Sequence, residues 1–277
     1  MTTERPDEEP AQTAEELHAA LEKAAKAPTL LVASDFDGAL AEFTVDPDDS
    51  APAPGAMEAL RGLAALPDTH VAVASGRDVR TLRDLTGVGS AESITLIGSH
   101  GAEATRPGVA ADGRLDDAQR ALLDELTAQV AELIDRHPGA RLERKRAAVA
   151  LHTRGLPKAD AEAALREAVA LGEGRDDVRL LRGKSVVELS VSHADKGSAI
   201  SALGREVGSD AIFYSGDDVT DEDAFQALDP QEGDVPVKVG GGATHAAYRV
   251  DSVTDVVETL EQLRELREQA TGEVDGP

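Results

Sequence analysis

Short apolar runs that stop at polar, Gly-containing turns, each leading into a helix-periodic segment, restrict this chain more than any other feature. Thr29-Leu30-Leu31-Val32-Ala33-Ser34 is one such run; His70 to Ala74, Ile94 to Ile97, Ala211 to Tyr214 and Val235 to Val239 are others. Gly55 to Leu66 carries Met57, Leu60, Leu63 and Leu66 at helical spacing. Arg77 to Leu85, Asp195 to Val207, a segment from Asp221, and Val253 to Arg267 also read as helices. Continuous apolar strands are what a sheet covered on both faces needs, so the alternation predicts an α/β fold with a doubly wound, mostly parallel sheet.

The middle of the chain departs from that pattern. Leu115 to His137 is one long amphipathic helix closed by Pro138-Gly139, and Arg141 to Thr153 reads as strands with a turn near Lys145 to Ala147. A helix follows over Lys158 to Leu171, then strands Val178 to Leu181 and Ser185 to Val191 around Arg182-Gly183-Lys184. Helix, two strands, helix, two strands predicts an inserted α+β cap with an antiparallel sheet. The expected organisation is a core over 13–103 and 194–269, a cap over 104–193, and disordered tails at 1–12 and 270–277.

Composition narrows the classes of function. With 53 acidic against 28 basic residues the formal charge is −25, which argues against nucleic acid or an anionic membrane as partner. Cysteine is absent, which removes disulfides, thiolate catalysis and Cys-ligated zinc. Aromatics number six, too few for base-stacking platforms, so the core is built from Ala, Val, Leu and Ile. The opening MTTERPDEEPAQTAEE has no apolar core of a secretory signal, and no apolar run reaches the roughly 20 residues of a membrane helix. A soluble, cytoplasmic protein is expected.

Four polar segments stand at or near the ends of the expected strands, at the sheet edge where open α/β folds bind ligands. Asp35-Phe36-Asp37-Gly38 puts two carboxylates on an extended turn whose N–H groups can face an anion, although a plain Asp/Gly loop has the same composition. Ser75-Gly76-Arg77 supplies a hydroxyl that also reads as an ordinary helix N-cap. Lys196-Gly197 opens a helix after His193-Ala194-Asp195. Gly216-Asp217-Asp218-Val219-Thr220-Asp221-Glu222 places four acids just past a buried strand. Such a cluster fits a hard cation such as Mg²⁺. Preference for a helix N-terminus accounts for Asp221 and Glu222 but not for Asp217.

In this order the four segments resemble the motifs of the haloacid-dehalogenase-like phosphatase superfamily. Glu143-Arg144-Lys145, Ala148-Val149-Ala150-Leu151-His152, Val187-Glu188-Leu189 and Ser99-His100-Gly101-Ala102-Glu103 resemble trehalose-6-phosphate phosphatases. The resemblance implies hydrolysis of a sugar phosphate, with trehalose 6-phosphate as substrate. Asp35 would be the nucleophile and Asp37 the general acid and base, while Ser75 and Lys196 would hold the phosphoryl group. Gly38, Gly76, Arg77 and His100 would line the phosphate side, and Glu143, Lys145 and Glu188 the sugar side. It further implies Mg²⁺ on the Asp35 carboxylate, the Asp37 carbonyl and Asp217, with Asp218 or Asp221 in support. Charged positions on an antiparallel sheet are also simply what a solvated face carries, and His100 and His152 read equally as structural.

One position departs from the pattern: Ala39 stands where the first motif has Thr. The missing hydroxyl is expected to remove a hydrogen bond near the phosphate and to lower the rate at most. Another sugar phosphate, such as sucrose 6-phosphate or mannosyl-3-phosphoglycerate, is an alternative substrate. A regulatory sugar-phosphate-binding protein with little turnover is the alternative outside enzymes. Oligomeric state is not readable from the residues.

Overall fold

A computed structural model describes residues 13–44, 49–110, 115–183, 185–192 and 194–272. The chain divides into two units, Met1–Ala111 with Asp195–Pro277, and Asp112–Ala194. Before the insertion come α1 (Ala14–Ala25), β1 (Leu30–Asp35), α2 (Ala56–Ala64), β2 (Thr69–Ala74), α3 (Val79–Thr86), β3 (Ile94–Gly98) and β4 (Glu103–Ala104). The second unit holds α4 (Asp117–Arg136), β5 (Arg141–Arg144), β6 (Ala148–His152), α5 (Lys158–Gly172), β7 (Arg179–Arg182) and β8 (Val186–Ser190). The chain returns to the first unit with α6 (Lys196–Val207), β9 (Ala211–Gly216), α7 (Glu222–Gln226), β10 (Val235–Val239), β11 (Tyr248–Val250) and α8 (Val253–Gly272).

The first unit is a seven-stranded sheet in the order β11-β10-β9-β1-β2-β3-β4, parallel except where β4 runs against β3. Both faces are covered, and β1 displays the consequence. Leu30 and Val32 join an apolar cluster with α1, α2 and α8, whereas Leu31 and Ala33 join a second cluster with α6 and α7. Alternate side chains of one strand thus feed two cores, which is why the run is apolar throughout. The strand order turns back on itself at β1, with β2 on one side and β9 on the other. Ligand crevices of open sheets lie at such a point.

The second unit is a four-stranded antiparallel sheet, β5-β6-β8-β7, backed on one face by α4 and α5. Val149, Leu151, Val187 and Leu189 pack into that helical side with Leu126, Val130, Ala164 and Ala168. Glu143, Ala150, Glu188 and Leu181 form one cross-strand row, and alternation puts it on the opposite face.

Several boundaries correct the sequence expectations. The first unit continues to Ala111 rather than ending at 103, because β4 pairs with β3 and Val109 is buried in the α6 side of the core. The helix forecast to end at Arg267 runs to Gly272, so 270–272 are not tail; residues 1–12 and 273–277 lie outside the described set. His193, Lys184 and residues 46–48 of the Pro/Asp loop lie outside it too. The short β4 and β11 and the helix α1 were not foreseen. For α1 a signal was present: Thr13 and Glu16 form a reciprocal capping box at its start. Among the described residues no helix is long and apolar enough to cross a membrane.

Candidate active site

β1 ends on Asp35, which is buried at the sheet edge. The chain then turns tightly, with Gly38 donating to the Ala41 carbonyl and Leu40 to that of Phe36. Gly38 has φ +87°, and a Cβ there would fall 2.2 Å from Cγ of Asp217. A side chain at this position would therefore evict the carboxylate that β9 delivers. Phe36 is buried in the apolar cluster on the α1 side, between the buried Asp35 and the partly exposed Asp37.

Lys196 is the first residue of α6, placed there by the Asp195 capping box. Its side chain is almost wholly buried, and its Nζ donates to Asp35 Oδ1 at 2.8 Å and to Asp221 Oδ1 at 2.7 Å. Gly197 beside it permits α6 to meet α7, since a Cβ would lie 2.1 Å from the Asp223 carbonyl oxygen. Asp221 is fully buried; its Oδ1 also accepts from the Tyr214 hydroxyl at 2.7 Å, and its Oδ2 from the Asp218 N–H at 2.9 Å. One oxygen from each of Asp35, Asp217 and Asp221 lies within 4.8 Å of the others.

Crowded buried carboxylates shape the electrostatics. Burial, then the neighbouring Asp221, pushes the Asp35 carboxyl well above its ordinary range, against the opposing pull of Lys196. Burial and then Asp221 and Asp218 raise Asp217 to about 7. Burial disfavours charge on Lys196, yet Asp221 and Asp35 hold its ammonium protonated well above the usual lysine range. Lys238, not singled out from the sequence, is a second buried lysine: its Nζ donates to the main-chain carbonyls of Asp217 and Val239, fixing the acidic turn from behind.

Asp37 is held from the β2 side. Arg77 donates to it through Nε at 2.8 Å and Nη2 at 2.7 Å, and the Ser75 and Ser50 hydroxyls approach at 3.4 and 3.3 Å. The N-cap reading of Ser75 is overturned: Asp78 caps α3 by accepting from Thr81, while Ser75 Oγ accepts from the Arg77 N–H. His100 sits in a strained turn, with φ +50° at Ser99 and +53° at His100. Its ring packs on Gly76, where a Cβ would come within 2.5 Å of it. Glu103 closes this loop onto α3 by accepting from the Val79 N–H and the Ser99 hydroxyl.

Asp218 stands apart from the acidic cluster. It is exposed and accepts from the Val219 N–H, so Asp221 rather than Asp218 completes the cluster around Asp35 and Asp217. The separation follows from the turn: Asp221 faces inward to meet Lys196 and leaves Asp218 outside. Ala39 is also explained. Its methyl is fully buried in the apolar cluster on the α1 side, a site where a hydroxyl would need its own partner. In the second unit, Lys145 Nζ donates to Glu188 Oε2 at 2.7 Å with both side chains largely buried, and His152 Nε2 lies 2.8 Å from Glu143 Oε2.

The family model described as Trehalose-phosphatase matches residues 33–254, a span that runs through all four motifs and the inserted unit. The chain belongs to the trehalose-phosphatase family. The trehalose-phosphate phosphatase of Mycobacterium leprae is 35 % identical over 243 residues, 81 % of this chain and 55 % of that protein. The chain thus spans about half the length of the mycobacterial relatives it matches. The trehalose-6-phosphate phosphatase of Escherichia coli K12 is 33 % identical over 225 residues, covering 80 % of this chain and 82 % of its own. A crystal structure of the Aspergillus fumigatus trehalose-6-phosphate phosphatase superposes with a TM-score of 0.65 at 26 % identity, covering 92 % of this chain and 98 % of that one. The fold class of this chain is a haloacid-dehalogenase-type core with a cap domain.

Proposed function

We propose that this trehalose-phosphatase family member hydrolyses trehalose 6-phosphate to trehalose and phosphate through an aspartyl-phosphate on Asp35. The observation that carries the reading is the buried Asp35 carboxylate shared between Lys196 and an acidic cluster, a charge arrangement that a phosphoryl dianion and a cation would complete. In the first step an Asp35 oxygen attacks phosphorus, the P–O bond to the sugar breaks, and Asp37 protonates the departing oxygen. In the second, Asp37 takes a proton from water, whose oxygen displaces Asp35 from phosphorus. Lys196 meets the negative charge on the transferring group, and Ser75 donates to it.

The residues fit a hard divalent cation. Asp217 Oδ1 is buried without a hydrogen-bond partner, and carboxylate oxygens with phosphate and water are the donor set Mg²⁺ prefers. Asp35, Asp217 and the Asp37 carbonyl would hold it. When bound, Mg²⁺ supplies positive charge against the phosphoryl oxygens and the nucleophile.

Glu143, Lys145 and Glu188 are assigned to the sugar hydroxyls. A largely buried Lys145–Glu188 pair is already stripped of most of its water, so a polyol can join it with little further desolvation. A phosphorylated sugar is an intracellular metabolite, and the same reading places the chain in the cytoplasm.

Phosphate release from trehalose 6-phosphate, sucrose 6-phosphate, mannosyl-3-phosphoglycerate and p-nitrophenyl phosphate tests this. Trehalose 6-phosphate is expected to give the highest kcat/KM, EDTA to silence release and Mg²⁺ to restore it. A higher kcat/KM on another sugar phosphate would refute the substrate, and no release from any of the four would refute the phosphatase.

A further inference from the structure

Asp35, Asp221 and Lys196 bring two carboxylates and one ammonium into a site with almost no access to water. Such a trio has a surplus negative charge, and the ammonium must divide itself between two anions about equally near. Its position decides how far the Asp35 carboxylate is steadied for attack. The division is set by whatever else binds Asp221. Tyr214 is fully buried on β9, its ring edge-on to Phe225 at 5.8 Å, and its hydroxyl donates to the same Asp221 oxygen that Lys196 uses. The Asp218 N–H takes the other oxygen. Asp221 is thereby held on both oxygens by groups of the protein itself, whereas Asp217 keeps an unpartnered oxygen.

We propose that Tyr214 is a positioning residue for the phosphoryl-transfer step: by donating to Asp221 it draws off part of that carboxylate's charge and leaves the Lys196 ammonium directed to Asp35. Without the hydroxyl, Asp221 binds Lys196 more tightly and pulls it away from the nucleophile. The inference rests on the phosphatase reading and concerns the chemical step alone, so it is indifferent to the sugar.

Tyr214→Phe keeps the ring against Phe225 and removes only the donor. Expected is a roughly ten-fold or greater fall in kcat on both trehalose 6-phosphate and p-nitrophenyl phosphate, the scale of one hydrogen bond to a charged group. KM, and Mg²⁺ affinity measured directly by calorimetry, should stay within about twofold. The rate of aspartyl-phosphate formation in a single turnover should fall with kcat.

A kcat within twofold of the parent overturns the inference, because the hydroxyl then only fills space. So does a loss confined to trehalose 6-phosphate, a loss restored by excess Mg²⁺, or a Phe variant that does not fold. A parent chain that releases no phosphate from either substrate overturns the phosphatase reading and the inference together, whereas an active parent matched by its Phe variant overturns the inference alone.

Discussion

Single side chains carry opposite charges here within hydrogen-bond distance, and substitutions that keep shape while changing chemistry are the informative ones. Asp35→Asn retains the size of the group but removes the proposed nucleophile. Turnover should fall by at least about three powers of ten while a thermal melt stays cooperative; phosphate release near the parental rate would refute the assigned role. Asp37→Asn should hurt trehalose 6-phosphate far more than p-nitrophenyl phosphate, since a good leaving group needs little help from an acid. An equal loss on both would remove Asp37 from that step. For the sugar side, Glu143→Ala, Lys145→Ala and Glu188→Ala should each lower kcat/KM for trehalose 6-phosphate roughly ten- to hundred-fold, given about 1.5–3 kcal/mol per hydrogen bond to a charged group. The aryl phosphate, which has no sugar, should hardly change. If both substrates fall together, these residues support the fold rather than the substrate.

At the scale of elements, the helices and strands are held in register by close approaches and by one buried cation remote from the candidate site. Gly197 permits α6 and α7 to meet, and Gly216 lets the Asp221 carboxyl fold back over the end of β9, where a Cβ would lie 2.3 Å from its Cγ. Arg267 of α8 does the equivalent work at the other end of the sheet. Its guanidinium donates to Thr69 Oγ1 and to the carbonyls of Ala25, Ala27, Pro28, Pro67 and Asp68, tying α8 to the entries of β1 and β2. Arg267→Met should destabilise by at least about 3 kcal/mol, because it removes several hydrogen bonds from a charged donor, among them the one to the buried Ala25 carbonyl. At about 2–4 °C per kcal/mol for a chain of this size, the melting temperature should drop by roughly 6–12 °C. The kcat of the folded fraction should be unchanged. A melting temperature within a degree of the parent would mean that water replaces those bonds.

The whole molecule carries a formal charge of −25, an excess of acid that remains however its own lysines and arginines are paired. Like charges spread over one surface repel, and the unfolded chain relieves that repulsion by expanding. Stability should therefore climb with sodium chloride between about 0.02 and 0.5 M, as the screening length contracts from tens of ångströms to a few. A melting temperature that falls over this range would show that local ion pairs such as Arg61–Glu92 outweigh the general repulsion.

The five longer strands of the seven-stranded sheet, the inserted antiparallel unit and the positions of Asp35, Asp37, Lys196 and Asp217 at strand and helix ends were legible in the residues. Apolar periodicity and Gly/Asp turns are local signals, and both faces of the sheet leave them undiluted. Other features depended on which distant groups meet. That Asp221, not Asp218, joins Asp35 follows from Lys196 arriving on α6, and that Arg77 grips Asp37 follows from β2 lying beside β1. Tyr214 looked like one more apolar strand residue until its hydroxyl found a buried carboxylate seven positions later. Lys238 and Arg267 were not singled out from the sequence, yet each is buried on carbonyls that only the packed sheet presents. Ala39 reads from the motif as a lost hydroxyl at a phosphate, and becomes a core methyl once the turn folds against α2 and α8. Sequence alone determined the elements and the residue types at their ends, because these are set within a few positions of chain. Tertiary structure decided which charges pair, because burial and Coulomb attraction act on neighbours that the chain order does not name.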